Sequence, residues 1–399
     1  MNTQNLASHL ALSDEDFAYL SRIRRQIHQN PELAFEEFQT SQLVQNELAS
    51  FGIEVQTGFA GTGVVGILRG DLATENVPVI ALRADMDALP IAEQTGAAFA
   101  SQKQGLMHAC GHDAHTAMLL TAAKILVRQR HQLAGVVKFI FQPAEEMKAG
   151  GKKLIADGAL ANPKPDWIYG FHVWPDLPVG KIGLRQGALM ASMDSFEITL
   201  TGMSGHAAAP HQGIDAMLGG AHLITALQSI VSREVNPLDS AVVSVGSLIS
   251  GTASNIIADT AKLTGNIRTI HPQTRQNVLA AFERVVAGVA HTFRLQHQIT
   301  YLADYPVTLN HPAAIEFAEQ VLEENLGADV IAQIEQPSMA SEDFAYYLEQ
   351  IEGAFLFLGV NDGAGGAYKL HHECFLPDES ALVYGVNAFV ALVNARLRQ

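Results

Sequence analysis

Apolar residues in the first half of the chain follow two alternating patterns. In one pattern they recur every three or four positions, which predicts helices, and in the other they form short continuous runs, which predict buried strands. The predicted helices are 14–29, 38–50, 115–130 and 151–157, and the predicted strands are 77–82, 135–141 and 167–171. Because strands and helices alternate, we expect βαβ units that build a mostly parallel sheet.

The pattern changes near residue 187. Residues 195–201 alternate strictly between apolar and polar side chains, which predicts a strand with one face in water. The elements predicted after it are helix 214–233, strands 241–249 and 261–270, helix 274–293 and a strand near 298–302. This βαββαβ order is ferredoxin-like. The α/β pattern then resumes with helix 313–324, strand 355–359 and helix 379–397.

We therefore predict an α/β protein with two domains. Residues 1–187 and 304–399 form the domain with the mostly parallel sheet, and residues 188–303 form an inserted α+β domain. A chain of 399 residues is long enough to give each domain its own core. A composition with 48% hydrophobic and 17% charged residues is typical of a compact enzyme rather than a disordered chain.

The charge balance bears on the possible partners. The chain has 41 acidic and 25 basic residues, for a net charge of −16. Nucleic acids and anionic membranes both favour clustered basic residues, so neither is expected as a partner. Two cysteines do not make a disulfide framework, and the N-terminal residues do not have the pattern of a signal peptide. We expect a cytoplasmic protein.

The strongest chemical signal lies at residues 108–115. This stretch contains three imidazoles, from His108, His112 and His115, together with a thiol and a carboxylate. Sulfur and imidazole donors two residues apart, as in Cys110-Gly-His112, suit a divalent transition metal. A structural zinc site would normally have a second such pair, but the chain's other cysteine, Cys374, is far away in the sequence. We therefore expect the remaining ligands at scattered positions, which is typical of catalytic metal sites.

Polar clusters follow three of the predicted strands directly. Arg83, Asp85 and Asp87 follow strand 77–82. The other two clusters are Gln142-Pro-Ala-Glu145-Glu146 and His172-Val-Trp174-Pro175. In open α/β sheets, ligands bind outside the carboxyl ends of the strands, so we expect the three clusters to lie in one crevice.

Each of these residues also has a simpler interpretation. Glu145 and Glu146 could form a solvated turn, but beside a metal one could ligate while the other acts as a general base. A histidine such as His172 at the end of an apolar strand is often a core residue, although this site needs nitrogen donors. Asp85 and Asp87 could ligate or could orient a ligating imidazole through its second nitrogen, and Arg83 with Asp85 could be an ordinary ion pair.

These motifs resemble the amidohydrolase branch of the aminoacylase/carboxypeptidase metallohydrolase family, which includes hippurate hydrolases, indole-acetyl-amino-acid hydrolases and N-acetyl-diaminopimelate deacetylases. The resemblance runs from about residue 20 to the C-terminus. The matching motifs are Arg25-Gln-Ile-His28-Gln-Asn-Pro31-Glu32, Arg83-Ala-Asp85-Met-Asp87-Ala-Leu-Pro90, His108-Ala-Cys110-Gly-His112-Asp113, Gln142-Pro-Ala-Glu145-Glu146, Gly170-Phe-His172, Gly205-His206-Ala-Ala-Ala-Pro210-His211 and Ser341-Glu342-Asp343-Phe344.

The resemblance implies a two-metal centre. Cys110 would bridge the two ions, Glu145 would be the general base, and Asp87 belongs to the implied catalytic set. It also implies that the inserted domain is a lid and dimerisation domain whose His206 reaches the active site of a partner subunit, and that Asn255 and Arg268 contact the carboxylate of the substrate. The other implied metal ligands are His112, Glu146, His172 and His371, with His372 the alternative to His371.

The resulting hypothesis is hydrolysis of the amide bond of N-acyl amino acids by a homodimer. A metallo-exopeptidase would use the same chemistry, and a non-catalytic metal-binding or sensing protein would keep the ligands but would have no use for Glu145. Zinc, manganese, cobalt and nickel all tolerate a mixed nitrogen, oxygen and sulfur ligand set, so the sequence leaves the metal open.

Overall fold

The structure is a computed structural model that describes residues 12–363 and 368–398. The helices in these ranges are α1 (Asp14–His28), α2 (Phe38–Ser50), α3 (His112–Gln129), α4 (Glu145–Lys148), α5 (Gly150–Ala156), α6 (Ala216–Arg233), α7 (Pro272–Thr292), α8 (Pro312–Leu326), α9 (Ala345–Leu348) and α10 (Glu379–Leu397). The strands are β1 (Glu54–Phe59), β2 (Gly63–Arg69), β3 (Val79–Asp85), β4 (Val136–Gln142), β5 (Trp167–Pro178), β6 (Ile182–Leu184), β7 (Gly187–Met190), β8 (Met193–Thr201), β9 (Gly205–His206), β10 (Ala241–Ser250), β11 (Ile256–Ile257), β12 (Thr260–Thr269), β13 (Gln296–Tyr305), β14 (Thr308–Asn310), β15 (Ile331–Gln333) and β16 (Glu352–Asn361).

The chain divides into two compact units. Unit 1 is built from the described parts of Met1–Gly187, Leu309–Glu335 and Tyr346–Gln399, and unit 2 from Ala188–Thr308 and Gln336–Ala345. Residues 304–308 and 336–345 thus belong to unit 2, whereas the sequence assigned them to the larger domain. Residues 336–345 belong there because the Ala191 N–H donates to the carbonyl oxygens of Ser338 and Ala340, at 3.0 and 2.9 Å.

Unit 1 contains an eight-stranded sheet in the order β1-β2-β4-β3-β5-β16-β6-β15. Its central strands β4, β3, β5 and β16 are parallel, while β2 pairs antiparallel with β1 on one side and with β4 on the other. Strands β3 and β4 are buried along their whole length, which explains their continuous apolar sequence. Helices α3, α8 and α10 pack against the sheet and complete its core. The predicted α/β fold with a mostly parallel sheet is confirmed.

Unit 2 contains a four-stranded antiparallel sheet in the order β10-β12-β8-β13. Helices α6 and α7 pack against it. The alternation predicted for β8 is present, because Phe196, Ile198 and Leu200 are buried in the core of this unit. The chain order of the main elements is β8-α6-β10-β12-α7-β13, which is the predicted βαββαβ arrangement.

One described helix, α10, is long and apolar enough to cross a membrane by length and composition. However, 67% of its apolar window is buried inside the protein. It packs against α3, α8 and β16. Its hydrophobicity is therefore explained by its place in the core of unit 1.

Candidate metal centre

The predicted polar clusters of unit 1 meet at one edge of its sheet. Strands β4, β3 and β5 are neighbours and run in the same direction, so their carboxyl ends lie side by side. Helix α3 begins at His112, directly after Gly111, whose φ is +88°. A Cβ atom at Gly111 would lie 2.4 Å from Val173 Cγ2, so only glycine permits this close approach of the Cys110–His112 turn to β5.

Two groups of possible metal ligands share the Cys110 sulfur. Ligand atoms of Cys110, His112 and His172 lie within 4.8 Å of one another, and all three residues are buried. Ligand atoms of Cys110, Glu146 and His371 meet the same limit. The five residues that the resemblance implied as ligands therefore fall into two groups with Cys110 in common. A sulfur atom common to both groups is expected of a thiolate that would hold two metal ions.

His172 presents a free lone pair to Cys110. Its Nδ1–H donates to the Val173 carbonyl oxygen at 2.7 Å, which leaves Nε2 unprotonated in the neutral ring. Nε2 lies 3.4 Å from Cys110 Sγ. Burial and the neighbouring His115 hold the pKa of His172 well below its usual value. A neutral imidazole fixed through its other nitrogen is the form that binds a metal.

Asp87 contacts three residues of the candidate site. Its Oδ1 atom lies 3.2 Å from His112 Nδ1, so it fixes that ring by its second nitrogen. The N–H groups of Glu145 and Glu146 donate to its two oxygens, each at 3.0 Å. The sequence had left open whether Asp87 ligates or orients, and these contacts favour orientation.

The electrostatics around His112 favour a cation. Burial by itself would lower the pKa of His112, but the carboxylates of Asp85, Asp87 and Glu146 raise it to about 10. His112 Nε2 is buried and has no hydrogen-bond partner among the described residues. Its nearest charged neighbour, Asp85 Oδ2, lies 3.7 Å away. A buried nitrogen without a hydrogen bond, in a region of negative potential, is a suitable position for a metal ion.

His371 and His372 occupy different environments. His371 Nε2 lies 3.0 Å from Glu146 Oε1, and the His371 N–H donates to the Ala109 carbonyl oxygen at 2.8 Å. His372 instead stacks on Tyr368, with ring centroids 4.4 Å apart. His371 is therefore the histidine that belongs to the ligand group, although its side chain is 51% exposed.

The contacts of His115 were missed at the sequence level. Asp85 Oδ1 lies 2.6 Å from His115 Nδ1, and the Val173 N–H donates to His115 Nε2 at 2.9 Å. The other oxygen of Asp85 accepts from Arg83 Nη1 at 2.7 Å, so each Asp85 oxygen contacts a protein side chain. The sequence does contain one indication that His115 lies near the site. His112 and His115 are three positions apart, which places both on one side of α3.

The other predicted residues, His206, Asn255 and Arg268, lie in unit 2. His206 Nδ1 accepts from the Ala208 N–H at 3.0 Å, and the Asn255 carbonyl oxygen accepts from the Ala207 N–H at 3.0 Å. Arg268 is half-buried and donates to the Met339 carbonyl oxygen at 2.8 Å. The roles predicted for these three residues stay predictions.

Comparison with known protein families matches residues 81–395 to Peptidase family M20/M25/M40. This match covers more than half of the chain. The chain belongs to this family. The resemblance noted in its sequence motifs is therefore confirmed.

Members of the M20/M25/M40 family and similar proteins match nearly the whole chain. An N-acetyl-L-cysteine deacetylase of Bacillus subtilis is 41% identical over 361 residues, 90% of this chain and 84% of that protein. The IAA-amino acid hydrolase ILR1-like 2 of Arabidopsis thaliana is 38% identical, over 98% of this chain and 88% of that protein. The crystal structure of the YXEP protein of Bacillus subtilis, described as a dinuclear metal-binding peptidase from the M20 family, covers 96% of this chain and 98% of its own, with a TM-score of 0.81 and 37% identity.

The residues present fit a metal centre of this kind. Thiolate, imidazole and carboxylate donors together suit borderline divalent ions such as Zn²⁺, Mn²⁺, Co²⁺ and Ni²⁺. The two donor groups each supply three side chains, which leaves coordination positions for water or substrate. Open positions of this type are typical of catalytic rather than structural metal sites.

Proposed function

We propose that the protein hydrolyses the amide bond of N-acyl amino acids with the help of two divalent metal ions. The observation that carries the proposal is the pair of ligand groups that share Cys110, with Glu145 beside them. Glu145 is buried, and its carboxylate lies within 4.8 Å of ligand atoms of His112 and Glu146. The relatives named as a deacetylase and an amino acid hydrolase support the same substrate class.

The chain offers one set of ligands for each ion. We assign Cys110, His112 and His172 to one ion, and Cys110, Glu146 and His371 to the other. Divalent ions bound in this way lower the pKa of water and polarise the carbonyl group of a substrate.

Glu145 is the residue that moves the proton. Its carboxylate takes a proton from the water that attacks the acyl carbonyl carbon. As the new C–O bond forms and the C–N bond breaks, Glu145 returns this proton to the leaving nitrogen, so the products are a carboxylic acid and a free amine. The hydrogen bond from the Glu145 N–H to Asp87 holds the backbone beneath this carboxylate in place.

Three residues of unit 2 complete the proposal. Arg268 would bind the α-carboxylate of the substrate together with Asn255, because a guanidinium group binds a carboxylate through two parallel hydrogen bonds. Burial lowers the pKa of Arg268. His206 would stabilise the negative charge that develops on the acyl oxygen. Arg268→Lys should raise KM by about 10-fold or more, since lysine lacks the planar fork.

A substrate panel tests the activity. Protein stripped with a chelator is reloaded with Zn²⁺, Mn²⁺, Co²⁺ or Ni²⁺ and incubated with N-acetyl, N-benzoyl and indole-acetyl amino acids and with dipeptides. We expect release of a free amino acid from the acyl compounds. Glu145→Gln should lower kcat by about 10²-fold or more while the metal content stays unchanged. Cleavage of dipeptides alone would favour an exopeptidase, and bound metal without any hydrolysis would favour a sensing protein.

We propose that the protein is a homodimer. The edge strands of the unit 2 sheet, β10 and β13, each pair on one side only within the described chain. Each carries an exposed apolar side chain: Ile249 on β10 is 71% exposed and Leu302 on β13 is 61% exposed. Such edges suit pairing with a second copy. Light scattering during gel filtration should give twice the mass of one chain, and the mass of a single chain would contradict the proposal.

A further inference from the structure

The segment that carries Glu145 and Glu146 has an unusual backbone at both ends. Helix α4 is preceded by Ala144, with φ 57° and ψ 42°, and followed by Ala149, with φ 48° and ψ 51°. Both alanines are in the left-handed region, which is costly for a residue with a Cβ atom. Such a conformation persists only where surrounding contacts hold it, so the contacts of this segment determine the position of both carboxylates.

Glu37 supplies one of these contacts from a distant part of the chain. Its Oε1 atom accepts from the Ala144 N–H at 2.9 Å and from the Phe35 N–H at 2.9 Å. Phe35 is also left-handed, with φ 67°. The Oε2 atom accepts from Thr62 Oγ1 at 2.6 Å, and the Glu37 side chain is fully buried. One carboxyl oxygen therefore joins two left-handed residues that are far apart in sequence.

Glu37 and Asp87 together bind three consecutive amides. The Ala144 N–H donates to Glu37, and the N–H groups of Glu145 and Glu146 donate to Asp87. The backbone just before and within the first turn of α4 is thus held by two buried carboxyl groups. Asp87 also contacts His112, whereas Glu37 has no place in either ligand group.

We propose that Glu37 is a positioning residue that fixes the left-handed turn at Ala144 and thereby aims Glu145 and Glu146 at the metal centre. The effect on catalysis rests on the proposed function, but the effect on metal binding through Glu146 does not require it. A displacement of about 1 Å at a catalytic group is enough to lower a rate by about 10²-fold. Loss of a residue that supports a ligand lowers metal affinity by about 10–100-fold.

The hydrogen bond to the Ala144 N–H depends on the length of the Glu37 side chain rather than on its charge. Burial and the nearby Asp87 carboxylate raise the pKa of Glu37 to about 7, although the Thr62 hydrogen bond opposes this shift. A neutral carboxyl group still accepts two amide hydrogen bonds through its carbonyl oxygen. Glutamine has the same length and the same acceptor, whereas aspartate keeps the charge but is one methylene group shorter.

This difference provides a matched pair of variants. Glu37→Gln should keep kcat and Zn²⁺ affinity within about 3-fold of wild type, because the acceptor is in place. Glu37→Asp should lower kcat by about 10–100-fold with little change in KM, and should lower Zn²⁺ affinity by about 10–100-fold. Zn²⁺ affinity is measured on the metal-free protein by competition with a chromogenic chelator, without any substrate.

A second substitution tests the role of Ala144. Glycine adopts the left-handed conformation readily, so Ala144→Gly added to Glu37→Asp should recover at least about 3-fold of the lost Zn²⁺ affinity and kcat. A Glu37→Asp variant that equals wild type in both measurements would overturn the proposal, as would a Glu37→Gln variant that loses as much as Glu37→Asp. If the wild-type protein hydrolyses no acyl amino acid, the proposed function fails, and the Zn²⁺ measurements still decide the role of Glu37.

Discussion

The sulfur of Cys110 is the donor atom common to both ligand groups. It lies 3.4 Å from His172 Nε2, and ligand atoms of His112, Glu146 and His371 are within 4.8 Å of it. A change at Cys110 should therefore affect both metal ions, whereas a change at His371 should affect only one.

Metal content tests this difference between a shared and an unshared ligand. After dialysis the Cys110→Ala variant should retain much less than about one metal ion per chain, because both ligand groups lose a donor. The His371→Ala variant should retain ~1 ion, since Cys110, His112 and His172 are unchanged. Elemental analysis of the purified variants measures both values. A Cys110→Ala protein that holds as much metal as wild type would contradict the shared sulfur.

His28 is another buried histidine, and it belongs to neither ligand group. Its Nδ1 atom lies 2.8 Å from Asp113 Oδ2 and its Nε2 atom 3.2 Å from Glu93 Oε1. Burial by itself would lower the pKa of His28, but the two carboxylates raise it to about 9. The folded-state pKa thus lies above the unfolded value of about 6.5.

The raised pKa of His28 predicts a pH-dependent stability. The stabilisation by His28 is fully present below about pH 6.5 and is lost as the pH rises through about 9. His28→Gln should lower the free energy of unfolding by about 1–3 kcal/mol at pH 6 and by much less above pH 9. Urea unfolding in the presence of a chelator, at several pH values, measures this. Wild-type and variant curves that stay parallel from pH 6 to 9.5 would contradict it.

The candidate ligands that the structure brings together could be named from the sequence, but their supporting contacts could not. Cys110 and His112 were singled out as sulfur and imidazole donors two residues apart, and His172 as a histidine directly after a predicted strand. Glu37 carries no such signal, since its role depends on an amide more than 100 positions away in the sequence, at Ala144. Contacts of this kind depend on the tertiary fold and leave no local pattern.

At the scale of elements, the parallel pair β5 and β16 shows a close backbone approach. Gly353 on β16 pairs with Ile168 on β5. A Cβ atom built at Gly353 would lie 2.1 Å from the Ile168 carbonyl oxygen. A backbone oxygen within a sheet cannot move aside easily, so the two strands would have to separate.

Two glycine substitutions should have opposite effects on stability. Gly353→Ala should destabilise the protein by about 2–4 kcal/mol, because it forces β5 and β16 apart. The control is Gly288→Ala in α7, where an added Cβ meets no atom within 4 Å. This control should stabilise the protein by about 0.5–1 kcal/mol through helix propensity. Urea unfolding of both variants measures the effects, and a neutral Gly353→Ala would show that the strands can adjust.

Long periodic elements were predicted well, and irregular edges were not. Helices α2 and α10 have the bounds expected from their apolar periodicity. Strand β5 continues to Pro178 instead of ending at residue 171, because β16 pairs with it as far as Asn361. Strands β1 and β2 were not predicted. They add to the sheet by antiparallel pairing, which the alternation of strands and helices does not indicate.

At the scale of the whole molecule, the two units have separate hydrophobic cores. The core of unit 1 includes residues of β3, β5 and α10, and the core of unit 2 includes residues of β8, α6 and α7. Both ligand groups lie in unit 1. A ligand stabilises the part of a protein that binds it, by an amount set by its concentration and affinity.

Removal of metal should therefore affect the two units differently. After treatment with a chelator, amide hydrogen exchange in β5 should become about 10-fold faster or more, while exchange in β8 should change by less than about 2-fold. Mass spectrometry of peptic fragments follows both strands in one experiment. Equal acceleration in β5 and β8 would show that the metal stabilises both units as one cooperative body.

The position of β16 in the sheet has a consequence for synthesis of the protein. Among the described residues β16 is the last strand in the sequence, yet it lies between β5 and β6. Until residues 352–361 have left the ribosome, β5 has an unpaired edge, although the whole of unit 2, which ends at Ala345, is already translated. A nascent chain would then expose this edge to other polypeptides, and chaperone binding to stalled chains should end once β16 has emerged.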